Sequence, residues 1–297
     1  MPELKKFPSR KSWLEARRGG LGGSDSAAIV GVDPYRSALQ VYAEKTDLIE
    51  PQEDNNILWW GRKLQPIVAQ AYRRETGRKL QYYGNLFFVS EERPHLFASL
   101  DAMIIELPGI PAGILEIKTS EVVTQRELEE EIPLAWQVQL QHCLGVTGLE
   151  VGSFAVALPH RKLFYVDVPA DKEFIELLFD KEAAFWQRVQ ERRPPDPDAS
   201  ESARWALQKL YPKDTGKEII LPDTAIELDR KRIEAMTAIE QLEAIKVQAE
   251  NDLKMMLGDA TTGIISDGLS YTWKHQTKKA YEVAASETRV LRRHLKK

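Results

Sequence analysis

The chain has 297 residues, 43% of them hydrophobic and 29% charged, with a formal net charge of -4. That length and apolar share support one large buried core, or a core with an appendage, and so small a net charge neither requires nor excludes a nucleic-acid partner, because local patches outweigh the sum. The single cysteine, Cys143, excludes an intrachain disulfide framework and any cysteine-cluster zinc or iron–sulfur site, while the lack of an apolar signal core in "MPELKKFPSRKSW", or of any apolar run near about 18 residues, makes a cytoplasmic, reducing setting the default.

The first segment, "SRKSWLEARRGGLGGSDSAAIVGVDPYRSALQVYAEKTDL", predicts a short helix from Ser12 and a glycine-rich turn at 19–23. A second helix opens at Ser24 or Asp25, a turn falls at Asp33–Pro34, and "SALQVYAEKTDL" reads as a third helix. "NILWWGRKLQPIVAQAYRRETG" is amphipathic, with Leu64, Ile67, Val68 and Ala71 at helical spacing and Gly77 as the stop. Strand patterns follow in "KLQYYGNLFFV", "LFASLDAMII" and "GILEIKT". The pattern "IPLAWQVQLQHCLGVTG" is helical to Gly148, "EVGSFAVAL" and "KLFYVDV" are strands, and "DKEFIELLFDKEAAFWQRVQERR" is a long helix. This order predicts an α/β fold with a mixed central sheet flanked by helices.

Beyond this the composition shifts. A proline- and acid-rich stretch begins the expected linker, 194–222, after a core of 1–193. Residues 223–297 are expected to hold a long charged helix with a discontinuous apolar stripe (Ile226, Ile233, Ile239, Leu242, Ile245, Leu253), a hairpin turned at 266–268, and a basic tail. That helix could pack on the core, join subunits or dock a partner. The tail could hold DNA with a steep salt dependence, or simply be solvated.

Charged residues in the strand region need explaining. Side chains two apart on a strand share a face, so Glu116 and Lys118 project together, and Asp101 joins them if "LFASLDAMII" is the neighbouring strand. Two carboxylates converging at a strand edge are a hard-oxygen seat for Mg²⁺ or Mn²⁺. A nearby lysine can orient or activate water and offset charge on a phosphate. The pattern D…ExK suits metal-assisted phosphodiester hydrolysis. A solvated edge of an exposed strand is the plainer alternative. Ile114, Leu115 and Ile117 argue against it, because they place both faces of the strand under cover, where an unpaired charge is costly.

Four ordered blocks, "WLEARRGGLGGSDSAAIVGVDPY", "WGRKLQPIVAQAY", "SLDAMI" with "LEIKT", and "QVQLQHCLGVTG", resemble the YqaJ-like viral recombinases, relatives of the phage lambda exonuclease within the PD-(D/E)xK nuclease superfamily. The resemblance runs from about Trp13 to Val168, and "YTWKHQTKKAYEVAASETRVLRR" is similar to the C-terminus of some phage members. It implies a PD-(D/E)xK core with a helical C-terminal extension, Asp101 and Glu116 as metal ligands with the Ile117 carbonyl, and Lys118 as the catalytic lysine. It also implies Mg²⁺ or Mn²⁺ as cofactor and 5′→3′ digestion of one strand of duplex DNA from its ends. Arg17, Ser24, Ser99 and Gln139 would anchor a 5′-phosphate. A ring-shaped homotrimer, a single-strand annealing recombinase as partner, and a phage or prophage gene in a bacterial host complete the implication, with no membrane.

The anchor residues also make chemical sense. Arg17 offers a planar, permanently charged fork, and Ser24 follows two glycines at a helix start, where backbone amides favour anions. Apart from the resemblance, Arg17 reads equally as a surface arginine, and "GGSD" first as a turn and N-cap. Gln139 and Gln141 lie two apart on one helix and cannot share a face. Gln139 is the one expected at the site, with Gln141 supporting the core.

The chain departs from the pattern at Gln65, where relatives usually carry a glutamate. An amide is a poorer metal partner than a carboxylate. Either the position disarms the site, or Asp101 and Glu116 suffice; in both cases Gln65→Glu is expected to be more active. Two other functions compete: a non-catalytic DNA-end-binding module, and a structure-specific endonuclease on the same core. The five histidines show no metal spacing, and the glycines do not fit GxxxxGK[ST]. Trp13, Trp59 and Trp60 could stack on bases, although core packing is the expected role for at least one of each such set.

Overall fold

Residues 2–50, 56–107, 110–265, 268–279 and 288–293 are described in a computed structural model of the chain. They fall into two units, Met1–Pro212 and Lys213–Lys297. In the first unit the chain passes back and forth between two sheets. It begins with β1 (Glu3–Lys6) and α1 (Arg10–Ala16), continues through the two-residue β2 (Leu21–Gly22) and the helices α2 (Gly23–Ile29), α3 (Ala38–Lys45) and α4 (Asn56–Thr76), and then enters β3 (Lys79–Gln81), β4 (Leu86–Val89), β5 (Leu96–Ala98), β6 (Ala102–Leu107) and β7 (Ile110–Thr119). Next come α5 (Gln125–Glu130), α6 (Leu134–Thr147), β8 (Val151–Leu158), β9 (Lys162–Pro169), α7 (Lys172–Gln190) and α8 (Glu201–Leu210).

The central sheet has the order β3-β6-β7-β8-β9 and is mixed, since β7 and β8 run parallel and the other pairs antiparallel. A smaller sheet has the order β1-β4-β5-β2. The expected strands "KLQYYGNLFFV" and "LFASLDAMII" are therefore each two strands, one in each sheet. An alternating apolar pattern does not register a change of partner. The break in the second segment falls at Ser99–Asp101, so Asp101 stands at the junction of the two sheets.

Alternation along β7 sorts its side chains. Leu115 and Ile117 pack with Val68, Ala69 and Tyr72 of α4, and Ile114 belongs to the larger core with Leu140 and Leu144 of α6 and Phe179 of α7. Helix signals in the sequence explain the ends. Gly77 and Gly148 close α4 and α6 with φ of 71° and 70°, a conformation glycine takes without strain. α1 starts two residues before Ser12, because Ser9 caps it and exchanges hydrogen bonds with Ser12. His142 and Glu182 lie fully buried between α6 and α7. The His142 Nδ1 sits 2.9 Å from Glu182 Oε1, and its Nε2 sits 3.0 Å from the Phe97 carbonyl. Both ring nitrogens face acceptors, so the imidazole holds both protons, and Glu182 raises its pKa against the opposing effect of burial.

The span 194–222, expected to be linker, contains α8. Ala203 and Ala206 are buried, and Ser202 donates from Oγ to Gln40 Oε1 (2.6 Å) while accepting from the Ser37 amide (2.8 Å). Trp205 and Leu210 pack against the core beside Ala206, so the helix is amphipathic, but it is short and follows directly on a run of prolines. In the second unit, α9 (Thr224–Leu257) is followed by the hairpin of β10 (Thr262–Ile264) and β11 (Ser270–Thr272). Of the expected turn, residues 266 and 267 lie outside the described residues. No helix among the described residues is long and apolar enough to cross a membrane.

Candidate active site

β6 begins at Ala102, opposite Leu115 of β7, so the next amide on β7 facing that side has no strand partner. The Asp101 carboxylate replaces it: Oδ2 accepts from the Ile117 amide at 2.8 Å. Its Oδ1 accepts from Gln65 Nε2 on α4, also at 2.8 Å. Pro66 interrupts the hydrogen bonding of α4 one residue after Gln65.

Glu116, 3% exposed, projects from β7 toward α6. Its Oε1 accepts from Lys118 Nζ at 2.9 Å and from Gln139 Nε2 at 2.5 Å. Lys118 also donates to Gln139 Oε1 at 2.7 Å, and its ammonium stands 6.0 Å from the centre of the Trp136 ring. Asp101, Glu116, Lys118, Gln65 and Gln139 thus come together from β7, α4, α6 and the sheet junction. Burial first, and the Glu116 charge second, raise the Asp101 pKa to about 7, while the Ile117 amide and Lys118 oppose the rise. The buried Glu116, which Lys118 meets, and the half-buried Asp101 are together short of positive charge.

The residues expected to anchor phosphate form a second group. Arg17 Nη2 donates to Ser24 Oγ at 2.7 Å, with the guanidinium 4.7 Å from the Trp13 ring centre and 5.4 Å from that of Phe97. Beneath it lies an ionic network that the sequence reading missed. Asp25 is buried against Lys45 (2.8 Å) and Arg36 (3.1 Å), accepts from the Gly22 amide (3.0 Å), and is held far below the usual carboxylate range by those cations. Lys45 donates in turn to the Arg17 carbonyl at 2.8 Å. Only the run Gly22–Gly23 permits this closeness: a Cβ on Gly22 would stand 2.6 Å from the Phe97 ring, and one on Gly23 would stand 2.9 Å from Cys143 Sγ and 3.0 Å from the Gln139 carbonyl. The acidic and basic residues of "SDSAAIVGVDPYRSALQVYAEK" carried the only available signal, and their pairing depends on the fold.

Ser99 follows β5, and its Oγ is buried without a hydrogen-bond partner. Gln139 touches both groups: its amide meets Glu116 and Lys118, and its backbone carbonyl lies against Gly23. Gln141 points elsewhere, donating to the Pro169 carbonyl (2.8 Å) and accepting from the Asp171 amide (2.9 Å). Trp59 and Trp60 are 44% and 57% exposed, so neither is the core residue expected of that pair. Trp13 is half-buried and donates from Nε1 to the Leu86 carbonyl at 3.2 Å.

A mixed sheet clasped by helices, with an aspartate at the sheet junction and an ExK strand beside it, is consistent with a PD-(D/E)xK-type core. Residues 12–150 match the YqaJ-like viral recombinase domain. The chain is 31% identical over 268 residues to the uncharacterized protein YqaJ of Bacillus subtilis (strain 168), covering 87% of this chain and 82% of that protein. It belongs to the YqaJ-like viral recombinase family. In fold it is similar to an alkaline exonuclease from Laribacter hongkongensis, LHK-Exo, with a TM-score of 0.52 and 21% identity over 61% of this chain and 93% of that one. The complex of LHK-Exo with dAMP superposes with a TM-score of 0.53 at the same identity.

Proposed function

We propose that the chain is a metal-dependent deoxyribonuclease that degrades one strand of duplex DNA from its ends in the 5′→3′ direction, in phage-type recombination. One observation carries the reading. Two carboxylates, the buried Glu116 and the half-buried Asp101 with its pKa pushed up to about 7, share a site with a single lysine. A divalent cation is the partner that this charge deficit calls for.

Among the described residues no three His, Cys, Asp or Glu side chains converge. The ion would therefore be held by Asp101, Glu116 and neutral oxygens, of which the Ile117 carbonyl is the nearest in sequence. Gln65 presents its Nε2 to Asp101, and its amide would have to turn before Oε1 could face an ion. When bound, Mg²⁺ or Mn²⁺ would polarise the attacking water and the scissile phosphate. The chain's own residues do the positioning. The Ile117 amide and Gln65 fix the Asp101 carboxylate. Gln139 accepts from Lys118 and so aims the ammonium, which holds the attacking water and a phosphate oxygen by hydrogen bonds. Arg17, which donates to Ser24, would with it receive a 5′-phosphate, and the unpartnered Ser99 Oγ would be a further donor. A homotrimeric ring around DNA and a single-strand annealing partner belong to the same reading.

Digestion of a 5′-phosphorylated linear duplex with Mg²⁺ tests it. Release of nucleotides that Lys118→Ala abolishes supports the enzyme, and tight binding without product supports an end-binding module. Cleavage of a covalently closed circle would instead identify an endonuclease.

A further inference from the structure

Within residues 213–297, α9 runs for 34 residues and none of them is buried. At 1.5 Å per residue it is about 50 Å long, a length that seldom persists without a partner along one face. Its ion pairs are local and exposed, such as Arg230 with Glu227 and Glu234, and contribute little each. One of its apolar stripes repeats at heptad spacing, beside a second set made of Ile226, Ile233 and Val247. Leu228, Ala235, Leu242, Ala249 and Met256 recur every seven residues, and Ile239 and Leu253 fall in the alternate heptad position. Leu228, Ile239 and Leu242 are each 65% exposed, and Ile245 beside them is 67% exposed.

We propose that α9 pairs antiparallel with α9 of a second copy of this chain, about a two-fold axis crossing between Glu240 and Gln241. In that register Ile239 of each copy meets Leu242 of the other, Ala238 meets Ile245, and Leu228 meets Leu253. The two charged residues in the stripe, Arg232 and Lys246, each face an alanine, Ala249 and Ala235, which leaves room for their stems to run out to water. Charge selects the direction. On one flank Lys231 faces Asp252 twice by symmetry, and Arg232 reaches Glu250 beside its alanine partner. On the other flank Asp229 approaches Glu250, but Arg293 already neutralises Asp229, with Nε 2.9 and 3.0 Å from its two carboxylate oxygens. A parallel pair would stack Arg232 on Arg232 and Lys246 on Lys246 and would lose the Lys231–Asp252 contacts. The second copy is thus the occupant that this face fits, because the same helix supplies both the apolar layers and the complementary charges.

Sedimentation of the full chain, which needs no assay of activity, tests the pairing. With the homotrimeric ring proposed above, pairing through α9 joins two rings, so the parent is expected to sediment as six copies and Ile239→Glu as three, half the mass, with helix content unchanged. Lys231→Asp or Asp252→Lys alone should weaken association about tenfold, and the double swap should restore it. Those two residues are about 30 Å apart on one helix, so restoration requires a partner's helix running the opposite way. Equal masses for the parent and Ile239→Glu, or a double swap no tighter than either single change, would overturn the proposal.

Discussion

Gln65→Glu exposes the electrostatics of the candidate site most sharply. In the parent, Gln65 Nε2 donates to Asp101 Oδ1 across 2.8 Å, beside a carboxylate already raised to about 7. The substitution removes a hydrogen bond to a charged group, worth about 1.5–3 kcal/mol, and places a third negative charge in the cluster. At an effective dielectric near 20, a like charge about 4 Å away costs about 4 kcal/mol, partly relieved by proton uptake. A metal-free loss of about 2–4 kcal/mol follows, or about 5–15 °C in melting temperature for a unit of this size. A divalent ion reverses the sign, because the added carboxylate attracts it: Mg²⁺ should bind about tenfold tighter or better, and duplex digestion should speed up. Thermal melts in EDTA and across a Mg²⁺ titration, with calorimetry, read both effects. If Gln65→Glu melts with the parent in EDTA and responds to Mg²⁺ no more steeply, the reasoning fails.

Three further outcomes follow from the same geometry. Asp101 has a folded pKa of about 7 against an ordinary value of 3.8, so its strain is absent below pH 4 and complete above pH 7; the metal-free protein should lose up to about 4 kcal/mol across that window, and denaturant titrations should show Asp101→Asn removing the slope. Arg17→Ala should raise KM for 5′-phosphorylated ends about 10- to 100-fold, as expected for a lost charge-assisted contact, while leaving 5′-hydroxyl ends unchanged; an equal effect on both ends would remove Arg17 from phosphate recognition. Gly23→Ala should destabilise by about 1–3 kcal/mol in urea, since the new Cβ meets Cys143 Sγ at 2.9 Å and the Gln139 backbone at 3.0 Å; an unchanged midpoint would mean that α2 can move away from α6 at no cost.

Some of this was legible in the residues and some was not. Apolar periodicity located α4, α6, α7 and α9, and glycine fixed the stops of α4 and α6, because both signals are local. The two-residue spacing in "LEIKT" placed Glu116 and Lys118 on one face for the same reason. The junction at Asp101 was invisible, since "LFASLDAMII" keeps its apolar character while changing sheets. Gln139 was expected beside the phosphate group through resemblance alone, and only the packing of α6 over β7 brings its amide to Lys118 and Glu116. The Asp25–Lys45–Arg36 network joins two helices across a turn, and no spacing rule foretells such a pairing. α8 escaped notice because its apolar side, Ala203, Trp205, Ala206 and Leu210, spans a short helix directly behind a proline- and acid-rich run that reads as linker.

Crystals soaked in Mn²⁺ and measured for anomalous scattering test the central claim most directly. The account predicts a peak bonded at about 2.0–2.3 Å to oxygens of both Asp101 and Glu116, lost in Glu116→Gln. Saturating Mn²⁺ with no peak there, or a peak that touches neither carboxylate, would contradict it.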